Sequence, residues 1–195
     1  MATAPPASKR FRVVGTILIG LVIVIGGLSA FIAARPAKFL IERSAQVEAP
    51  PEAVFPLIDN LHEWAKWSPY EKLDPEMKKT FEGPDSGVGA SYAWSGNSQA
   101  GEGRSTIVET KPNELVALKL EFVKPFEATC HVTFTLVPTA NGTNVTWSME
   151  GTNSFVAKAM SLVMDMDKMI GKDFKEGLAN LNKVVQDHAK TAGAP

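Results

Sequence analysis

The spacing of apolar and polar residues divides the chain into a continuous greasy segment followed by alternating ones. From Val13 to Ala34 the sequence "VVGTILIGLVIVIGGLSAFIAA" runs 22 residues without a charge. As a helix it reaches about 33 Å, enough to cross a hydrocarbon core of roughly 30 Å. Lys9, Arg10 and Arg12 precede it, Arg35 and Lys38 follow it, and Pro36 closes the helix. A cleaved signal peptide carries a shorter apolar region ending in a small-x-small site, whereas cuts after Ala33 or Ala34 would place Phe31 or Ile32 three residues back. The segment therefore reads as an uncleaved, single-pass membrane anchor over residues 13–34. The basic residues before it, counted with the amino terminus, point the following domain towards the extracytoplasmic side. Residues 1–12 read as a disordered basic head and residues 191–195 as a disordered tail.

Beyond the anchor the period changes. "KFLIERSAQVEA" alternates Phe39, Ile41, Ala45 and Val47 against Glu42, Ser44, Gln46 and Glu48, a strand pattern with Arg43 as its one breach. "APPEAVFPLIDN" has prolines suited to a first helical turn and places Val54, Phe55 and Ile58 on one face. "LHEWAKWSP" predicts a second short helix that brings Trp64 and Trp67 together before Ser68 and Pro69 end it. From Met77 to Glu150 turn signals separate one-sided strands, the mark of an antiparallel sheet with one wet face. Their apolar sides carry Tyr92 and Trp94, then Val116, Leu118, Leu120 and Phe122, then Cys130, Val132, Phe134 and Leu136, then Val145, Trp147 and Met149. The last segment, Phe155 to His188, predicts one long amphipathic helix with Val156, Met160, Val163, Ile170, Phe174, Leu178, Leu181 and Val185 on its stripe.

Composition narrows the function classes. The chain has 195 residues, 45% of them hydrophobic, enough for one well-packed domain with an appendage. Twenty basic against 21 acidic residues leave no global field to gather nucleic acid, and a nucleic-acid role is set aside. One cysteine, Cys130, permits no internal disulfide, and His62, His131 and His188 do not cluster with metal-ligand spacing. No serine or cysteine has a base partner, so no catalytic residue, metal or cofactor is assigned.

The stretch "MSLVMDMDKM" holds four of the seven methionines. Met160 and Met164 sit one turn apart on the predicted stripe, and thioethers suit either a reshapable ligand wall or an irregular core. Asp167 falls inside the same stripe, where an unpaired carboxylate would be costly. It either anchors a ligand's polar end, acts as an acid/base group with a pKa raised by desolvation, pairs with a base such as Arg104, or turns to solvent if the helix breaks near Asp165. Trp64, Trp67, Tyr92, Trp94 and Trp147 offer apolar area with polar tips, suited to a cavity mouth or to packing.

"VEAPPEAVFPLIDNLHEWAKWSPY", the strands after it and the terminal "GKDFKEGLANLNKVV" resemble the SRPBCC superfamily, and within it the polyketide cyclase/dehydrase and lipid transport proteins. The resemblance covers about Lys38 to Val185, within an expected ligand-binding domain of residues 38–190. It implies an α+β, START-like helix-grip fold in which a curved antiparallel sheet wraps the long C-terminal helix, here preceded by one transmembrane helix. It also implies a hydrophobic cavity between the two, lined by Leu118, Leu120, Phe122, Phe134 and Phe174 besides the aromatic residues, methionines and Asp167 named above. The expected function is membrane-anchored binding of a hydrophobic small molecule or lipid. Two rivals stand beside it: a cyclase- or dehydrase-like enzyme using the same cavity, and an interaction module of a membrane complex with a filled core. An unfilled cavity favours the first two; its absence, with an exposed apolar patch, favours the third.

Overall fold

The charge-free segment is helical in the computed structural model, which describes residues 7–192. Helix α1 runs Ala7–Ala33, and within it Val13–Ala33 is long and apolar enough to cross a membrane, with a mean hydropathy of 2.6. The helix begins at Ala7, so residues 7–12 of the expected head are helical. Residues 1–6 of that head and 193–195 of the expected tail lie outside the described residues.

The chain forms two compact units. One comprises the residues up to Ala37 with Asn153–Val163, the other Lys38–Thr152 with the residues from Met164 on. In the first, α1 is joined by the short helix α3, Phe155–Met160, which Ser154 caps by accepting the Ala157 N–H.

The second unit holds β1 (Lys38–Val47), α2 (Pro51–Asp59), two 3-10 helices (Leu61–Lys66 and Pro69–Lys72), then β2 (Lys78–Glu82), β3 (Ser91–Ser95), β4 (Glu102–Lys111), β5 (Leu115–Lys124), β6 (Ala128–Thr139), β7 (Gly142–Thr152) and α4 (Met166–Ala192). The expected second helix is 3-10, as suits six residues held between Asn60 and the helix-opposing Ser68–Pro69 step. All neighbouring strands are antiparallel, in the order β1-β7-β6-β5-β4-β3-β2, which brings the first strand beside the last. The register gathers the apolar sides of the alternating strands onto one face. One row across the sheet reads Ile41, Met149, Val132, Leu118 and Ile107. The next reads Arg43, Trp147, Phe134 and Val116, so the breach noted in β1 sits on the apolar face.

Helix α4 packs against β1, β7 and α2 and buries Phe174, Leu178, Leu181 and Val185, one stripe at helical spacing. Polar contacts pin it: Asn182 Oδ1 accepts the Glu48 N–H at 2.8 Å, and Asn180 Nδ2 donates to the Trp67 carbonyl at 3.2 Å. This is the helix-grip α+β arrangement expected from the sequence. The single helix expected over Phe155–His188 is instead two, because residues 161–165 leave the helical path. Asp165 supplies the physical reason, since its Oδ1 accepts the Lys168 N–H at 3.0 Å and so starts α4 afresh.

Candidate functional site

The sheet's apolar inner face is covered unequally. At one end aromatic side chains pack on one another. The Trp147 indole stacks on the Phe174 ring, with centroids 4.2 Å apart and planes 9° from parallel. Phe134 lies 4.8 Å from Trp147, and Trp67 meets Phe134 and Trp147 edge-on at 5.9 and 5.7 Å. Trp64 leans on Trp67 at 5.2 Å. Both of these indoles are tied to α2, Trp64 Nε1 donating to the Ile58 carbonyl at 2.9 Å and Trp67 Nε1 to that of Leu57 at 2.8 Å. Gly177 makes the approach of α4 possible, because a Cβ there would come 2.6 Å from Trp147 Cζ3. Trp64, Trp67, Leu118, Phe134, Trp147 and Phe174 are buried, and these expected lining residues form the core itself. One polar atom in the cluster is unsatisfied, for Trp147 Nε1 finds no acceptor among the described residues.

At the other end the cover thins. Trp94, Leu120 and Phe122 are only half-buried, as are Phe39 on β1 and Ile170 on α4. The rings of Phe81, Tyr92 and Trp94 follow one another at 5.2 and 5.9 Å in near-parallel planes, and Phe122 stands edge-on to Trp94 at 5.9 Å. Beside them lies a polar cluster that the sequence reading did not pick out. The buried Tyr92 hydroxyl donates to Glu71 Oε1 at 2.9 Å, and Lys79 pairs with Glu71 Oε2. Burial, and then the Glu71 charge, push the Tyr92 phenol well above its ordinary pKa. Glu71 comes from a 3-10 helix and Lys79 from the edge strand β2, and no local pattern marks either as a partner of Tyr92.

Asp167 departs from its expected place. Its side chain is 60% exposed and makes a bidentate pair with Arg43, Nη1 to Oδ1 at 3.2 Å and Nη2 to Oδ2 at 2.9 Å. The Arg43 guanidinium holds the Asp167 carboxyl below the usual carboxylate value. Arg104, the partner considered from sequence, instead binds Glu82 at 2.8 Å and Ser91 at 2.9 Å. Asp167 is thus neither a buried anchor nor an inward-facing acid, and the odd residue of β1 was the signal for its partner. Met160 and Met164 are likewise exposed, the first on α3 and the second in the break, so the expected inward methionine wall does not form.

An open groove of about 850 Å³ is lined by α2 residues including Phe55 and Asp59, and by Val185, His188 and Ala189 of α4. Burial pushes the Asp59 carboxyl upward, and its Oδ1 has no partner among the described residues. This groove does not coincide with the inner-face aromatic residues. His131 and His188 are exposed, His62 stacks on Phe81 at 3.9 Å, and the Cys130 thiol is buried with its pKa raised by desolvation. Among the described residues no group of three or more His, Cys, Asp or Glu side chains is placed to hold a metal ion.

Residues 38–186 match the family described as polyketide cyclase/dehydrase and lipid transport. Among solved structures the chain is similar to MLL2253 of Mesorhizobium loti, 20% identical over 77% of this chain and 97% of that one, with a TM-score of 0.54. It is similar to CV1439 of Chromobacterium violaceum, 19% identical over 75% of this chain and 96% of that one, with a TM-score of 0.54. It also resembles DynU16, from the dynemicin biosynthetic locus, 14% identical over 75% of this chain and 47% of that one, with a TM-score of 0.51. At these identities the likeness is one of fold. Comparison with curated proteins gave no match.

Proposed function

Because the chain belongs to the polyketide cyclase/dehydrase and lipid transport family, we propose that it is a membrane-anchored binding protein for an apolar small molecule or lipid. The observation that carries this reading is the unequal cover of the inner face. Trp94, Leu120, Phe122 and Ile170 keep part of their apolar surface uncovered, whereas Trp67, Phe134, Trp147 and Phe174 at the other end are fully covered by one another. Covering that surface with a ligand is favourable by about 25 cal/mol per Å² removed from water. The Tyr92–Glu71–Lys79 cluster beside it offers a hydroxyl and an ammonium to a ligand's polar end. Helix α1, read as an anchor, holds the domain at a bilayer, where apolar ligands concentrate.

The test is to purify both the full chain in nanodiscs and a chain beginning at Pro36, and to weigh each by native mass spectrometry. An apolar molecule should accompany both forms, and Leu120→Arg should lose it while remaining folded by circular dichroism. If neither form carries a ligand, and no member of a lipid and polyketide library raises its melting temperature, the binding reading fails.

The Tyr92–Glu71 hydrogen bond favours a second reading, in which the same site turns over its ligand by proton transfer. Tyr92→Phe separates the two: passive binding weakens but persists without the hydroxyl, carried by the apolar contacts, whereas turnover is abolished.

A further inference from the structure

The methionine-rich stretch that failed to line the inner face has a surface that needs another explanation. In the unit formed by α1 and Asn153–Val163, helix α3 buries none of its residues. Phe155, Val156, Met160, Leu162 and Val163 are all exposed, Phe155 at 51% and Val163 at 84%. Five large apolar side chains within nine residues, facing outward, are what a water-soluble surface avoids and a lipid-facing one requires.

Two contacts make this surface continuous with that of α1. The Asn153 N–H donates to the Ala37 carbonyl, and Lys158 Nζ donates to the Ala33 carbonyl at 3.0 Å. Ala33 ends α1, where the last carbonyls have no partner within the helix. An unpaired carbonyl is cheap in water and costly against hydrocarbon, so an ammonium committed to it suits an end set close to the acyl chains. Lys158 is the one charge between Asn153 and Val163, and that contact draws it to α1. Ile32, one residue from the end of α1, is buried, and α1 packs against α3. The charge of the unit is one-signed as well. Of its charged residues, Arg35 and Lys158 lie at the end of α1 that carries this segment and Lys9, Arg10 and Arg12 at the opposite end of the span, with no carboxylate side chain among them.

We propose that Phe155–Val163 lies in the membrane interface as a second lipid contact beside α1, its apolar side chains set among the acyl chains of an anionic bilayer. The idea rests on reading α1 as an anchor, and it goes beyond that reading by giving the Met160 region a lipid surface as partner. The segment then fixes the depth of the unit and restrains α1 from sliding along the membrane normal.

The test uses the full chain with Cys130→Ala, reconstituted in nanodiscs of phosphatidylcholine and phosphatidylglycerol, with one nitroxide at a time on Val22→Cys, Phe155→Cys or Val163→Cys. Power-saturation measurements with oxygen and with a water-soluble nickel chelate report whether each label sits in lipid or water. Labels at positions 155 and 163 should favour oxygen several-fold over the chelate, at a shallower depth than the label at 22. A lipid-embedded label at 22 with water-exposed labels at 155 and 163 overturns the interfacial contact and leaves the anchor intact. A water-exposed label at 22 overturns the anchor and the contact with it. Replacing phosphatidylglycerol by phosphatidylcholine should move the label at 163 towards water, and an unchanged depth would overturn the preference for anionic lipid.

Discussion

Trp147 and Trp94 both point from the same face of one sheet, yet the first is sealed under Phe174 and the second is half-covered. Around Trp147 the chain supplies its own cover, with Trp67, Phe134 and Phe174 in contact and α4 brought close by Gly177. Around Trp94 the neighbours are Tyr92, Leu120 and Phe122, and the cover is partial. A face with two such ends separates stability from binding. One end holds α4 to the sheet, while the other keeps apolar surface that a ligand would complete.

The comparison is tested most severely at Phe174. Phe174→Ala removes a fully buried ring stacked on Trp147 and should cost about 3–5 kcal/mol in urea unfolding of the chain beginning at Pro36. Phe122→Ala at the half-covered end should cost about 2 kcal/mol, since only part of the ring is withdrawn from water. Its larger effect should be on the co-purified ligand measured by mass spectrometry. Equal stability losses at the two positions would break the distinction between the ends.

Two glycines of α4 sharpen it. Gly177→Ala drives a methyl into the sandwiched Trp147 ring and should lose about 1 kcal/mol net, the helix-propensity gain only partly offsetting the strain. Gly171→Ala meets the Arg43 guanidinium, which must give up its pair with Asp167 to make room, so in the same unfolding assay it should lose less than Gly177→Ala but more than removal of the Asp167 charge alone.

The smallest change is expected for Asp167→Asn. The Asp167 carboxyl lies below its ordinary value of 3.8 when folded, held there first by the hydrogen bond from Arg43. Its stabilising contribution is therefore present above that value and is lost as pH falls through the lower, folded one. Melting temperatures across the acid range should show wild type ahead of the variant above about pH 4 and the two converging below it. Because the pair is exposed, added salt should shrink the difference.

The asymmetry of the inner face also bears on what pattern can convey. Alternation in β5 and β6 assigns Leu118, Leu120, Phe122 and Phe134 to one face, and the structure places all four there. Period says nothing of depth, however. Whether Phe134 is sealed and Phe122 half-open depends on what packs against each, Trp64, Trp67 and Trp147 on Phe134 and Trp94 edge-on to Phe122, all contacts between residues far apart in the chain. The helix pattern failed for a related reason. Apolar spacing from Val156 to Phe174 fits one stripe, and only the local hydrogen bond from Lys168 to Asp165 interrupts it. That break removes Met160, Met164 and Asp167 from the inner face. An Asp ahead of a helical run was a legible capping signal.

Residue order alone was enough for the apolar span, the strand run, the buried stripe of α4 and the family, because each rests on short-range periodicity or on a motif. The partner of Asp167, the filled aromatic end and the Tyr92–Glu71–Lys79 cluster were settled only by the folded chain. Each joins side chains from separate elements, and such meetings follow from strand register and helix placement, which no local spacing encodes.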